Sequence, residues 1–122
     1  MHTIALVLAF LVAALHVWFL VLEMFLWEKP IGLKTFRNSP EDARRMAVLA
    51  ENQGLYNGFL AAGLLWGAGA SLQGAAHGGA VLHFFFGCVV VAGAYGAATV
   101  SPRIFFIQAL PALLGFVAIS LA

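Results

Sequence analysis

Of the five acidic residues, two, Glu23 and Glu51, fall within long apolar segments. An ionisable side chain in such a setting needs a partner or a purpose. The polar residues near them are few. His16 precedes Glu23 by seven positions, nearly two helical turns, so both share one face about 10 Å apart. Glu51 opens the run Glu51-Asn52-Gln53-Gly54-Leu55-Tyr56-Asn57, in which Asn52 with Tyr56, and Gln53 with Asn57, stand at i,i+4. Tyr95 and Gln108 complete the set. Carboxylates and amides without a cation suit a ligand whose polar end carries hydrogen-bond donors or a positive charge. A desolvated carboxyl at Glu51 or Glu23 would also serve as an acid or base. His16, Glu23 and Asn57 in series would make a proton relay.

Other chemistries lack their residues. The His16–Glu23 spacing is two turns, not the single turn of paired metal ligands on a helix, so no metal site is expected. The one cysteine, Cys88, sits in an apolar run as a packing residue. No phosphate loop, dinucleotide fingerprint or Ser nucleophile with a neighbouring base is present. Each polar residue also has a plain structural role open to it. Glu51 can reach towards Arg44 or Arg45, and Glu23 towards a lysine of the following loop. The amides can bond between helices. Tyr56 and Tyr95 can anchor at an interface.

The elements that position these residues follow from composition. The chain has 122 residues, 63% hydrophobic and 9% charged, against about 25% charged in a soluble domain. A small soluble domain has too much surface per volume to hide that apolar mass, and a mean hydropathy of +0.99 agrees. Soluble globular, disordered and collagen-like chains are excluded. A net charge of +1, with no basic stripe outside one loop, argues against nucleic acid as a partner.

The expected fold is all-α: an integral membrane four-helix bundle with up-down topology. The spans are Thr3–Trp27, Met46–Ala70, Gly79–Val100 and Arg103–Leu121, in one transmembrane domain over 1–122. The first apolar run is too long for a signal-peptide core and is expected to be a retained helix. Glu28–Arg45 is the one sizeable polar loop. Helix 2 is expected to start within it, ahead of the membrane, at Ser39-Pro40-Glu41-Asp42: a capping serine, a proline for the first turn and acids at the positive dipole end. The cations Lys29, Lys34, Arg37, Arg44 and Arg45 lie in this loop, and Arg103 lies in the last one. All six then face one side, which the positive-inside rule makes cytoplasmic. The expected location is the inner membrane, with both termini outside and loop 28–45 inside.

Trp27 is expected as an interface anchor. Small residues recur at four-residue spacing, as in Gly54, Gly58 and Ala62, and predict close helix packing. Pro111 should bend or open the last span. This layout sets Glu23, Glu51, Asn52, Gln53, Tyr56, Tyr95 and Gln108 in one cytoplasmic-leaflet layer, with Asn57 at the depth of His16. Glu23 and Glu51 are expected to face the interior and approach the amides of Asn52, Gln53 or Gln108.

Glu51 to Leu60, Glu23-Met24, Ala92-Gly93 with Tyr95-Gly96, and Gln108 with Pro111 resemble the motifs of an uncharacterised family of small bacterial four-span membrane proteins. A more distant resemblance is to the MAPEG superfamily, membrane-associated proteins in eicosanoid and glutathione metabolism. It rests on Phe36 to Ala43 before helix 2, Leu82-His83-Phe84 at the start of helix 3, and Gln108-Ala109-Leu110-Pro111 in helix 4. That resemblance implies a homotrimer of four-helix protomers with a site between subunits near the cytoplasmic side. The family's Arg-x-x-x-Asn-x-x-Glu on helix 2 is missing, since Val48 and Leu55 stand where Asn52 would require the Arg and the Glu. Helix 3 has no arginine, and a dianion such as glutathione needs cations to hold it. Glutathione is therefore a poor fit and the cofactor stays open.

Three functions compete. The leading one is a MAPEG-like membrane protein whose polar layer binds a small amphiphilic or lipophilic molecule, with or without catalysis. The second is a structural or accessory subunit whose polar layer is interhelical glue. The third, a proton-coupled transporter, is weakest, because the outer half offers little beyond His83 as a polar path. Membrane lipids are expected partners in all three.

Overall fold

The apolar run that opens the chain forms one helix, α1 (His2–Met24), in a computed structural model that describes residues 1–122. Five more helices follow: α2 (Pro30–Phe36), α3 (Pro40–Arg45), α4 (Ala47–Leu72), α5 (Gly78–Thr99) and α6 (Leu110–Ser120). A π-helical turn, Phe105–Ala109, leads into α6, and no strand is present. The fold is all-α, as composition implies. Helices α1 and α5 are long and apolar enough to cross a membrane, and the final helix, Phe105–Ser120, is apolar but shorter. The 26-residue α4 has the length, but its first half carries Glu51, Asn52, Gln53, Tyr56 and Asn57, which lower its hydropathy. Four spans were expected from sequence; length and composition mark two of these helices.

Packing divides the chain into two compact units, one made of Met1–Ala14 with Leu60–Ala122, the other of Leu15–Phe59. The first holds a core of thirteen buried residues drawn from α1, α4, α5 and α6, and seven of them are alanines. Such small side chains let helix backbones come close. The largest buried side chain, Phe86, lies over Gly115, where a Cβ would strike its ring. Gly93 lets α5 touch the backbone of the π turn: a Cβ there would stand 2.7 Å from the Ala109 nitrogen. The π turn is the opening that Pro111 was expected to cause. Proline has no N–H to give the carbonyl four residues back, and the helix widens so that the Leu110 N–H reaches the Phe105 carbonyl, five residues back.

In the second unit α1 stops at Met24, three residues before the expected end. The amides of Phe25 and Leu26 both donate to the Val21 carbonyl, at 3.0 and 3.1 Å, and close the helix. The loop then folds rather than wandering. Pro30 starts α2, and Arg37 ends it in the left-handed conformation at φ 57°. Gly32 seats α2 directly on the carbonyls of Leu26 and Trp27, where no side chain fits. The Trp27 indole N–H donates to the Ala43 carbonyl at 2.8 Å, and its ring lies 4.9 Å from that of Phe36. Trp27 thus clasps α2 and α3, a role beyond the anchor expected of it. Ser39 caps α3 as the sequence predicts, accepting from the Asp42 amide at 3.1 Å. That start does not run on into the second long helix as expected: Met46 leaves helical geometry at φ −101°, ψ 5°, and α4 begins afresh at Ala47.

Candidate functional site: an acidic cleft at the end of α1

Gly54 and Gly58 bring α4 against α1. A Cβ at Gly54 would meet Met24 and Glu23, and one at Gly58 would meet Leu20. This glycine row is therefore used within the chain. Asn57, between the two, donates from Nδ2 to Glu23 Oε1 at 2.5 Å, and both side chains are half-buried. The expected interior contact of Glu23 with an amide exists, but through Asn57 rather than Asn52, Gln53 or Gln108. The cause is register. Gly54 stands level with Glu23, so Glu51 sits about one turn nearer the loop, roughly 4.5 Å along the axis.

Glu51 is exposed and makes no side-chain hydrogen bond, and its reach to Arg44 or Arg45 is not made. It still meets Glu23 across a cleft of about 200 Å³. Met24, Phe25, Trp27, Glu28, Lys29 and Ala47 form the rest of its wall. Three carboxylates and one ammonium make the cleft acidic. Carboxylates are acceptors only, so it can take hydrogen-bond donors or a positive charge. No three His, Cys, Asp or Glu side chains gather anywhere in the chain to hold a metal ion.

The other predicted site residues divide as follows. Asn52 and Gln53 are exposed on α4, and Tyr56 is 58% exposed with its ring edge-on to Phe59 at 5.5 Å. His16 is fully buried, edge-on to Phe19 at 5.3 Å. Tyr95 and Gln108 belong to the other unit, Tyr95 at 72% exposure on α5 and Gln108 half-buried inside the π turn.

Sequence reasoning missed two features. Phe25, Trp27, Glu28 and Lys29 wall the cleft only because α1 ends before them; a helix running on to Trp27 would have scattered them around its axis. The second is a pair near the start of α5. His83 Nδ1 lies 2.9 Å from the Gly79 carbonyl, and Nε2 lies 2.9 Å from Ser120 Oγ, 37 positions away in sequence. Ser120 also donates to the Phe116 carbonyl at 2.8 Å, so the pair ties the ends of α5 and α6.

The profile of one protein family, described as Protein of unknown function (DUF1304), matches residues 10–120. No curated protein and no solved structure matches the chain.

Proposed function

The chain belongs to that family, whose description names no activity, and from its residues we propose a membrane protein that binds the polar end of a small amphiphilic molecule in its acidic cleft. The observation that carries this is Glu23, held by Asn57 and turned to the same cleft as Glu28 and Glu51. The bound group has hydrogen-bond donors or a positive charge, and its apolar tail lies along α1. In the finer reading the protein is a MAPEG-like four-helix bundle of the inner membrane, built from α1, α4, α5 and the final helix. Both termini are outside, loop 28–45 is cytoplasmic, and three copies assemble. The trimer rests on the resemblance alone, because the Gly54–Gly58 row is turned to α1 of its own chain. The alanine-lined core of the first unit favours a second reading, an accessory subunit without a ligand.

One titration separates the two. The protein in phosphatidylcholine nanodiscs is titrated calorimetrically with a short-chain alkyltrimethylammonium probe and with an alkyl sulfonate of equal length. The ligand reading expects saturable binding of the cation alone, weakened roughly tenfold by Glu51→Gln, the Coulombic effect of losing one nearby carboxylate charge. Equal binding of both probes, or an unchanged Glu51→Gln variant, removes the cleft as the site. Binding of neither probe leaves the accessory-subunit reading.

A further inference from the structure

The loop between α1 and α4 carries five cations, and one of them, Arg45, has an acid partner: Asp42, at 2.9 Å. Lys29 borders the acidic cleft. Lys34, Arg37 and Arg44 are exposed and without an ion pair. They are not carried on a loose strand. Gly32 presses α2 onto the Leu26 and Trp27 carbonyls, Phe36 packs tilted against Trp27, and the indole holds α3 through Ala43. With Gly32 and Phe36 turned inward, the opposite side of α2 presents Ile31 and Lys34, one turn apart. Ile31 is 46% exposed, and Phe25, the residue after α1, is 66% exposed. Unpaired cations and bare apolar side chains thus share one rigid cap at the end of a helix apolar enough to span a bilayer.

We infer that the α2–α3 cap is a docking surface for anionic phospholipid headgroups. Lys34, Arg37 and Arg44 take the phosphates, the two arginines with a planar fork that matches phosphate oxygens. Phe25 and Ile31 lie among the first carbons of the acyl chains. Basic residues beside a spanning helix attract an anionic leaflet in this way. Nucleic acid is the poorer occupant: it gives Phe25 and Ile31 no apolar medium, and the net charge of the chain is only +1. The inference rests on reading α1 as a membrane span; it shares Phe25 with the cleft, but the cleft titration reads Glu51 rather than these cations, so the two fail separately.

The test uses the whole protein in phosphatidylcholine vesicles containing spin-labelled phosphatidylglycerol or spin-labelled phosphatidylcholine. The motionally restricted fraction gives the relative association of the two lipids. The wild type is expected to prefer phosphatidylglycerol roughly fivefold, and the Lys34→Gln/Arg37→Gln/Arg44→Gln variant to fall to about parity. High salt should erase most of the wild-type preference, since exposed charges are screened. If the triple variant does not insert, Arg44→Gln alone should give an intermediate ratio. A wild-type ratio near one overturns the inference, as does a variant that keeps the wild-type ratio. So does an RNA oligonucleotide that competes phosphatidylglycerol off the wild-type protein.

Discussion

The two units of this chain are ordered by different forces. In Met1–Ala14 with Leu60–Ala122, the core is apolar, more than half of it alanine, and shape sets it: alanines at the helix contacts, Phe86 over Gly115, Gly93 on the π turn, with the directed contact His83–Ser120 at its rim. In Leu15–Phe59, order comes from directed contacts: the Trp27 indole on Ala43, the Ser39 cap, Asn57 on Glu23, Arg45 on Asp42. The difference teaches where chemistry can sit. A core held by shape has no polar group to lend. A unit held by hydrogen bonds keeps carboxylates and cations at its surface and in its cleft, where a ligand can reach them.

The sharpest way to break this contrast is to remove volume from the first unit. Phe86→Ala leaves a cavity that alanine-sized neighbours cannot fill by rotamer changes. The expected loss is about 3 kcal/mol or more, the usual scale for a buried aromatic, read by thermal unfolding in mild detergent. In the second unit Trp27→Phe keeps the ring but deletes the bond to Ala43, with an expected loss of about 1 kcal/mol. If Trp27→Phe costs nothing, the indole bond does not order the second unit and the contrast fails.

Next in size is the Glu23–Asn57 pair. Glu23→Leu strands the Asn57 amide in a half-buried place, and the expected loss is about 1–2 kcal/mol. Glu23→Gln still offers Asn57 an acceptor oxygen and should cost less than half as much. Chemical unfolding of the two variants side by side measures the difference. Equal losses would mean that the hydrogen bond contributes nothing and that Glu23 matters through packing alone.

Much of this was legible in the residues. The apolar runs gave the long helices within a few positions, Ser39-Pro40 gave the start of α3, and Pro111 gave an opening in the last helix, because each signal is local. The helix α2 was missed although Pro30 marks its start as Pro40 marks that of α3; what holds it is the seat of Gly32 on two carbonyls, a contact across the turn. The Glu23–Asn57 bond was missed for a related reason. Depth counted from helix ends paired Glu23 with Glu51, whereas the register is fixed by where Gly54 and Gly58 meet Leu20 to Met24. The His83–Ser120 contact joins two helices at positions that periodicity does not relate.

The smallest expected effect tests the outward side of α4. Asn52 and Tyr56 stand one turn apart on an exposed face, and neither side chain has a hydrogen-bond partner in the chain. Deep in hydrocarbon such groups would need covering by a second copy. The register argues otherwise. Gly54 is level with Glu23, the penultimate residue of α1, so Asn52 lies at or beyond the end of that helix, where water supplies partners and, with α1 read as a span, headgroups do too. Asn52→Ala and Tyr56→Phe should each change stability by no more than about 0.5 kcal/mol, as for ordinary exposed sites. They should also leave the mass of the detergent-solubilised particle unchanged. A loss above about 1 kcal/mol, together with a shift of that mass to one protomer, would place these two residues between copies. The polar end of α4 would then belong to an assembly contact, and the directed contacts of the second unit would extend beyond a single chain.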